Sequence, residues 1–153
     1  MDKEKSITEL NKLVEINNDR IEGYETANKE TEEGDLKFLF SELIETSLKC
    51  RTELVNEVHR MGGTPSEGTK VSGKFFRVWM DVKAALTGKD RKAILNSCEF
   101  GEDAAVNTYE KAISNSEDLN EQQLTMVRAQ YALIKSDHDK IKELRDVLEH
   151  AEN

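Results

Sequence analysis

Glu102 lies on a stripe that is otherwise small and apolar. Leu95, Cys98, Glu102, Ala105, Tyr109 and Ala112 are spaced alternately by three and four residues, so all six share one helical face. Gly101, next to the carboxylate, allows a neighbouring helix to approach closely. His138 sits between Ile134 and Ile141 at the same spacing. Aligned at their midpoints, four long helices would bring Asn17 and Tyr24, Ser47 and Cys50, Glu102, and His138 to similar heights. Such a layer could hold a single divalent metal ion through Glu102 and His138, or a small molecule. The structural alternative is that Glu102 and His138 satisfy each other, or the Tyr24 and Tyr109 hydroxyls, and fix which helices pair. Buried polar groups need partners whatever the function, and a lone core histidine is more often satisfied than ligating. The structural reading is therefore favoured, with no cofactor expected.

A carboxylate-bridged di-metal site in a helical bundle needs two glutamates and two Glu-x-x-His pairs. The residues three before His59, His138 and His150 are Asn56, Lys135 and Val147. The full ligand set cannot be assembled. Cys50 and Cys98 fall mid-helix on apolar faces, where a free cysteine behaves as a small hydrophobe. No base or electropositive setting accompanies either, so neither reads as a nucleophile. Both are expected to be free thiols.

The elements that must position these residues are four long helices. Ser6-Ile7-Thr8-Glu9 reads as a capping box for the first, with a seam of Ile7, Leu10, Val14, Asn17, Ile21, Tyr24 and Asn28. Gly34 suits its C-terminal turn and Asp35 the next N-cap. The second runs from Leu36 to Met61, with Leu36, Phe40, Leu43, Ser47, Cys50, Leu54 and Met61 on one stripe, and Gly62-Gly63 and Pro65 end it. From Gly62 to Asp90, two loops flank a short amphipathic helix at 73–86 carrying Phe75, Phe76, Trp79 and Val82. A third helix follows from Asp90 to Ser114. Asn120 with Gln123 caps a fourth, whose stripe is Leu124, Val127, Tyr131, Ile134, His138, Ile141 and Leu148. Two hairpins joined by a long crossover make an all-α, ferritin-like four-helix bundle. A plain up-down-up-down bundle is the alternative, with the connection folded across one end.

The crossover aromatics are expected to pack over the small residues of the third helix. A docking surface formed by Trp79, Phe75, Phe76 and Arg77 is the competing reading. The crossover is also basic, through Lys70, Lys74, Arg77, Lys83, Lys89, Arg91 and Lys92. It could serve a protein partner or homo-oligomer, although intramolecular charge balance is the simpler account.

The 153 residues suit one domain, 1–153, with a real core. Hydrophobic residues at 37% and charged ones at 35% fit a helical protein with a wet exterior, while one proline and 6% aromatics disfavour sandwiches and barrels. A formal charge of −9 argues against nucleic acid as partner. No apolar run reaches the roughly 20 residues of a membrane span, and Met1 to Lys5 lacks a signal-peptide core. Two distant cysteines form no disulfide framework, and a cytoplasmic location is expected.

Several blocks carry a family resemblance. They are Asp19 to Tyr24, Gly62-Gly63-Thr64-Pro65, Gly73 to Trp79 with Lys83 to Gly88, Cys98 to Asp103 with Tyr109, and His138-Asp139. Together they resemble a ferritin-like, four-helix-bundle family of bacterial proteins classed as a domain of unknown function. The resemblance implies the fold and a bacterial cytoplasmic origin, and it implies no reaction. Phe75-Phe76 stands where a histidine before the arginine would be expected, so any role of that histidine is absent. The resulting expectation is a non-enzymatic bundle with a stress-related or interaction role. A degenerate metal-binding or metal-dependent oxidoreductase protein is the alternative.

Overall fold

The computed structural model describes residues 2–68, 84 and 91–152. Among the described residues the chain is all-helical, as expected. Its four long helices are α1 (Lys3–Glu30), α2 (Gly34–Arg60), α3 (Arg91–Ser114) and α4 (Glu121–Glu152), with a 3-10 turn at Ser116–Asp118. The expected short helix at 73–86 and the docking residues Phe75, Phe76, Arg77 and Trp79 lie outside the described residues.

The apolar stripes do what their spacing requires. Every member of the α2 stripe from Leu36 to Leu54, and every member of the α3 stripe from Leu95 to Ala112, is buried. The helix ends differ in detail. α1 begins earlier than the Ser6 box predicts, because Asp2 caps it by accepting from the Glu4 amide at 2.9 Å. Ser6 lies inside the helix, fully buried, with its hydroxyl donating to the Asp118 carbonyl at 2.5 Å. Gly34 opens α2 instead of closing α1, which ends at Thr31. The later signals hold as read. At the end of α2 the Gly62 amide bonds to His59 O and the Gly63 amide to Val58 O, both at 2.9 Å. This is a Schellman closure with Gly62 at φ +80°. Before α4, Gln123 N donates to Asn120 Oδ1 at 2.7 Å and Asn120 N to Gln123 Oε1 at 3.0 Å, a reciprocal capping box.

Side-chain contacts fix the topology. α1 runs antiparallel to α3, since Ser6 reaches Asp118, Asn17 reaches Tyr109 and Arg20 reaches Glu102. α2 runs antiparallel to α4, since Lys140 pairs with Glu42, Gln130 with Glu53 and Gln123 with Met61. Arg91 at the start of α3 pairs with Asp35 at the start of α2, so these two helices begin at the same end. α2 therefore ends at the opposite end of the bundle from the start of α3, which excludes the up-down-up-down alternative, and residues 61–68 begin the climb between those ends. The described part of that climb is pinned to α1. Asn11 Nδ2 donates to Thr64 O, Asn11 Oδ1 accepts from Ser66 N, and Asn18 Nδ2 donates to Gly68 O.

The core is divided in two. Leu10, Leu13, Leu54, Val58, Tyr109 and Val127 belong to one apolar cluster. Tyr24, Leu36, Phe40, Leu43, Leu95 and Ile141 belong to the other. Polar residues fill the interval.

Gly62 and Gly34 give a paired test of the backbone argument. Gly62→Ala should lower stability by about 1 kcal/mol, because a Cβ is strained at positive φ. Gly34→Ala, in open space at the first turn of α2, should leave stability unchanged or raise it slightly. Urea unfolding of both variants measures the contrast.

Candidate functional site

The interval between the two clusters is closed by Arg20, whose side chain is wholly buried. Its guanidinium forms a fork with Glu102: Nε donates to Oε2 at 2.8 Å and Nη2 to Oε1 at 2.6 Å. Nη1 donates to Ser47 Oγ at 2.5 Å, and Nη2 also reaches Asp137 Oδ2 at 3.3 Å. Arg20, Ser47, Glu102 and Asp137 come one from each helix. The planar fork matches a carboxylate bidentately, which lysine could not do. The Tyr24 ring lies beneath the guanidinium, with its centroid 5.7 Å from Cζ.

A second layer lies one to two helical turns away and again draws on all four helices. Asn17 Nδ2 donates to Leu13 O and to Tyr109 Oη, each at 2.9 Å. Tyr109 donates to Gln130 Oε1 at 2.8 Å, and Gln130 Nε2 donates to Glu53 Oε1 at 3.0 Å and to Cys50 O at 3.3 Å. Asn17 Oδ1 has no partner among the described residues.

These contacts correct the expected pairing of Glu102 with His138. Glu102 is wholly buried and bound to Arg20. His138 is turned to the edge of the bundle, where Nε2 meets Asp103 Oδ1 at 2.5 Å and Nδ1 meets Asp139 Oδ1 at 3.1 Å. Of the predicted polar residues, Glu102, Asn17, Tyr24 and Tyr109 do converge on the interior layers, and His138 does not join them. Arg20, Asp137 and Gln130 were missed, although a signal was present. Leu10, Leu13, Asn17, Arg20, Tyr24 and Ala27 alternate by three and four, and so do Gln123, Val127, Gln130, Ile134, Asp137 and Ile141. An arginine on such a stripe is ordinarily assigned to solvent. Here its headgroup is matched on every side.

The electrostatics follow from burial and pairing. Burial opposes the charge on Arg20, but the Glu102 carboxylate outweighs it, and the guanidinium is held further above its already high value. Burial raises the Asp137 carboxyl, against the opposing pull of Arg20. Burial also pushes the Cys50 thiol up to about 11, and it raises Cys98, Tyr24 and Tyr109 as well. Both cysteines are free and buried, in keeping with inert core thiols.

The core layer does not fit the di-metal centre that a bundle of this kind can house. Its two carboxylates, Glu102 and Asp137, are both engaged by Arg20, and no histidine among the described residues pairs with them. A metal held by Glu102 and His138 together is likewise inconsistent with their separate partners.

The model of a domain of unknown function, DUF2383, matches residues 5–115. The chain belongs to this family. The DUF2383 match contains Arg20, Ser47 and Glu102, whereas Gln130 and Asp137 on α4 lie beyond it. No curated protein matches the chain. No helix among the described residues is long and apolar enough to cross a membrane.

Two outcomes follow. Arg20→Met should cost about 3–5 kcal/mol, because Glu102 is left charged and unpaired in the core. Arg20→Met with Glu102→Met should recover most of that loss, which urea unfolding of the single and double variants measures. Separately, the folded Cys50 thiol, at about 11 against an ordinary 9.0, holds its proton longer than the unfolded one. Its contribution is complete below about pH 9 and is lost as pH rises towards about 11. Cys50→Ala should flatten the fall of unfolding free energy across that window.

Proposed function

We propose that this chain is a non-enzymatic, cytoplasmic, ferritin-like bundle that acts through its surface, in an interaction or stress-related role. The observation that carries the reading is Arg20. A guanidinium occupies the mid-bundle position where a carboxylate-bridged metal pair would need open ligands, and it engages both carboxylates there. A cation built into the chain makes the layer self-sufficient and leaves neither carboxylate free to bind a metal.

The surface supports an interaction role. Phe38, Phe100 and Val147 are exposed large hydrophobic residues on three different helices. The basic crossover, with a protein partner or a second copy as its counterpart, belongs to the same reading.

Oxygen uptake after Fe(II) addition tests the non-enzymatic claim. The rate with protein should equal that of buffer. Faster uptake that Glu102→Gln abolishes would overturn the reading, because it would place redox chemistry in the core layer.

A further inference from the structure

We propose that Asp137 is a proton-sensitive joint between α4 and the rest of the bundle, because the buried Arg20 layer holds one carboxyl group more than it has cations. Among the described residues the layer contains one guanidinium, Arg20, and two carboxyl groups, Glu102 and Asp137. The guanidinium divides itself unequally between them. Glu102 takes both arms of the fork, at 2.8 and 2.6 Å. Asp137 receives one longer bond, 3.3 Å, from the same Nη2 that already serves Glu102. The charge of Arg20 is thus matched by Glu102, and an ionised Asp137 adds a second anion with no cation of its own. A charge withdrawn from water without a partner is disfavoured, and a carboxyl group escapes that cost by binding a proton.

The groups facing Asp137 supply no further cation. From α1 it meets Arg20, from α3 the Glu102 carboxylate, and from α2 the neutral Thr46 hydroxyl. On α4 itself, His138 is turned to Asp103 and Asp139, and Lys140, three residues on, is paired with Glu42. Burial is the largest influence and raises the Asp137 carboxyl. Arg20 and Thr46 pull the other way without prevailing, and Glu102 adds to the rise. The Asp137 side chain is 17% exposed, against 0% for Glu102, so it is the carboxyl group of the layer that a proton reaches from solvent.

Protonation changes what Asp137 offers without removing it. The neutral group keeps a carbonyl oxygen to accept from Nη2 and gains an O–H. The bond that ties Arg20 to α4 therefore survives, while the surplus charge is gone. Ionisation restores that charge and with it the repulsion from Glu102. The folded chain holds this proton more firmly than the unfolded chain, whose aspartate keeps the ordinary value of 3.8. The contribution of Asp137 to stability is complete below pH 3.8 and is lost as pH rises through the higher folded value. The joint tightens in mild acid and loosens as pH rises.

Carbon-13 NMR of the side-chain carboxyl groups, followed through a pH titration of the full wild-type chain, tests the joint directly. Asp137 should titrate with a midpoint above 3.8, and a midpoint at or below that value would overturn the proposal. Asp137→Asn supplies the neutral form at every pH with almost no change of shape. Its folding constant relative to wild type, from urea unfolding, should climb as pH rises above 3.8 and then level off. At a pH above the midpoint, amide exchange along α4 around 137 should be slower in Asp137→Asn than in wild type. A relative folding constant that falls as pH rises would make Asp137 an anionic counter-ion to Arg20. One that does not change with pH would leave it no titrating role, and either result overturns the joint.

Discussion

A guanidinium withdrawn entirely from water must recover its lost hydration from fixed partners, and this requirement governs the middle of the bundle. Arg20 recovers it from Glu102, Ser47 and Asp137, each on a different helix. The arrangement works only if α2, α3 and α4 present those residues at one height and towards α1. Apolar stripes alone tolerate a shift of register by one turn. A bidentate fork to Glu102 does not, because the shift would leave two charges buried and apart. The layer thus specifies alignment more than it adds stability, and the Asn17–Tyr109–Gln130 layer repeats the same constraint one to two turns away.

The long connection has a cause in this alignment. Arg20 and Glu102 meet on antiparallel helices, while α2 and α3 start together at the Asp35–Arg91 end. A tight turn after α2 would reverse α3 and carry Arg91, at its start, away from Asp35. The chain instead leaves α2 through the Gly62 closure and climbs along Asn11 and Asn18 of α1. The order of helices, the crossover and the buried ion pair form one set of dependent choices.

Much of this was legible in the sequence, and the exceptions share a physical reason. The α2 and α3 stripes, the Gly62-Gly63 stop and the Asn120–Gln123 box rest on local spacing, and local spacing is preserved in the fold. The burial of Glu102 was legible for the same reason. Its partner was not, because partner choice depends on the relative rotation of two helices remote in sequence. On α4 a rotation of one residue separates a stripe containing Asp137 from one containing His138. Both stripes share Val127, Ile134 and Ile141, so periodicity cannot choose between them. Burial of an arginine is decided by tertiary matching, which no single helix records. The exit of His138 to the bundle edge follows from the same rotation, and there it meets Asp103 and Asp139.

The central claim is that the Arg20 guanidinium is immobilised in the core by Glu102. Nitrogen-15 NMR of the arginine side chains tests it most directly. The account predicts one arginine with an Nε proton protected from solvent exchange and separately resolved Nη protons, since rotation about the Nε–Cζ bond would break the fork. The signature should vanish in Glu102→Gln while the backbone spectrum remains folded. If every arginine in the folded wild-type protein instead showed averaged Nη signals and rapid exchange, the buried ion layer would be contradicted.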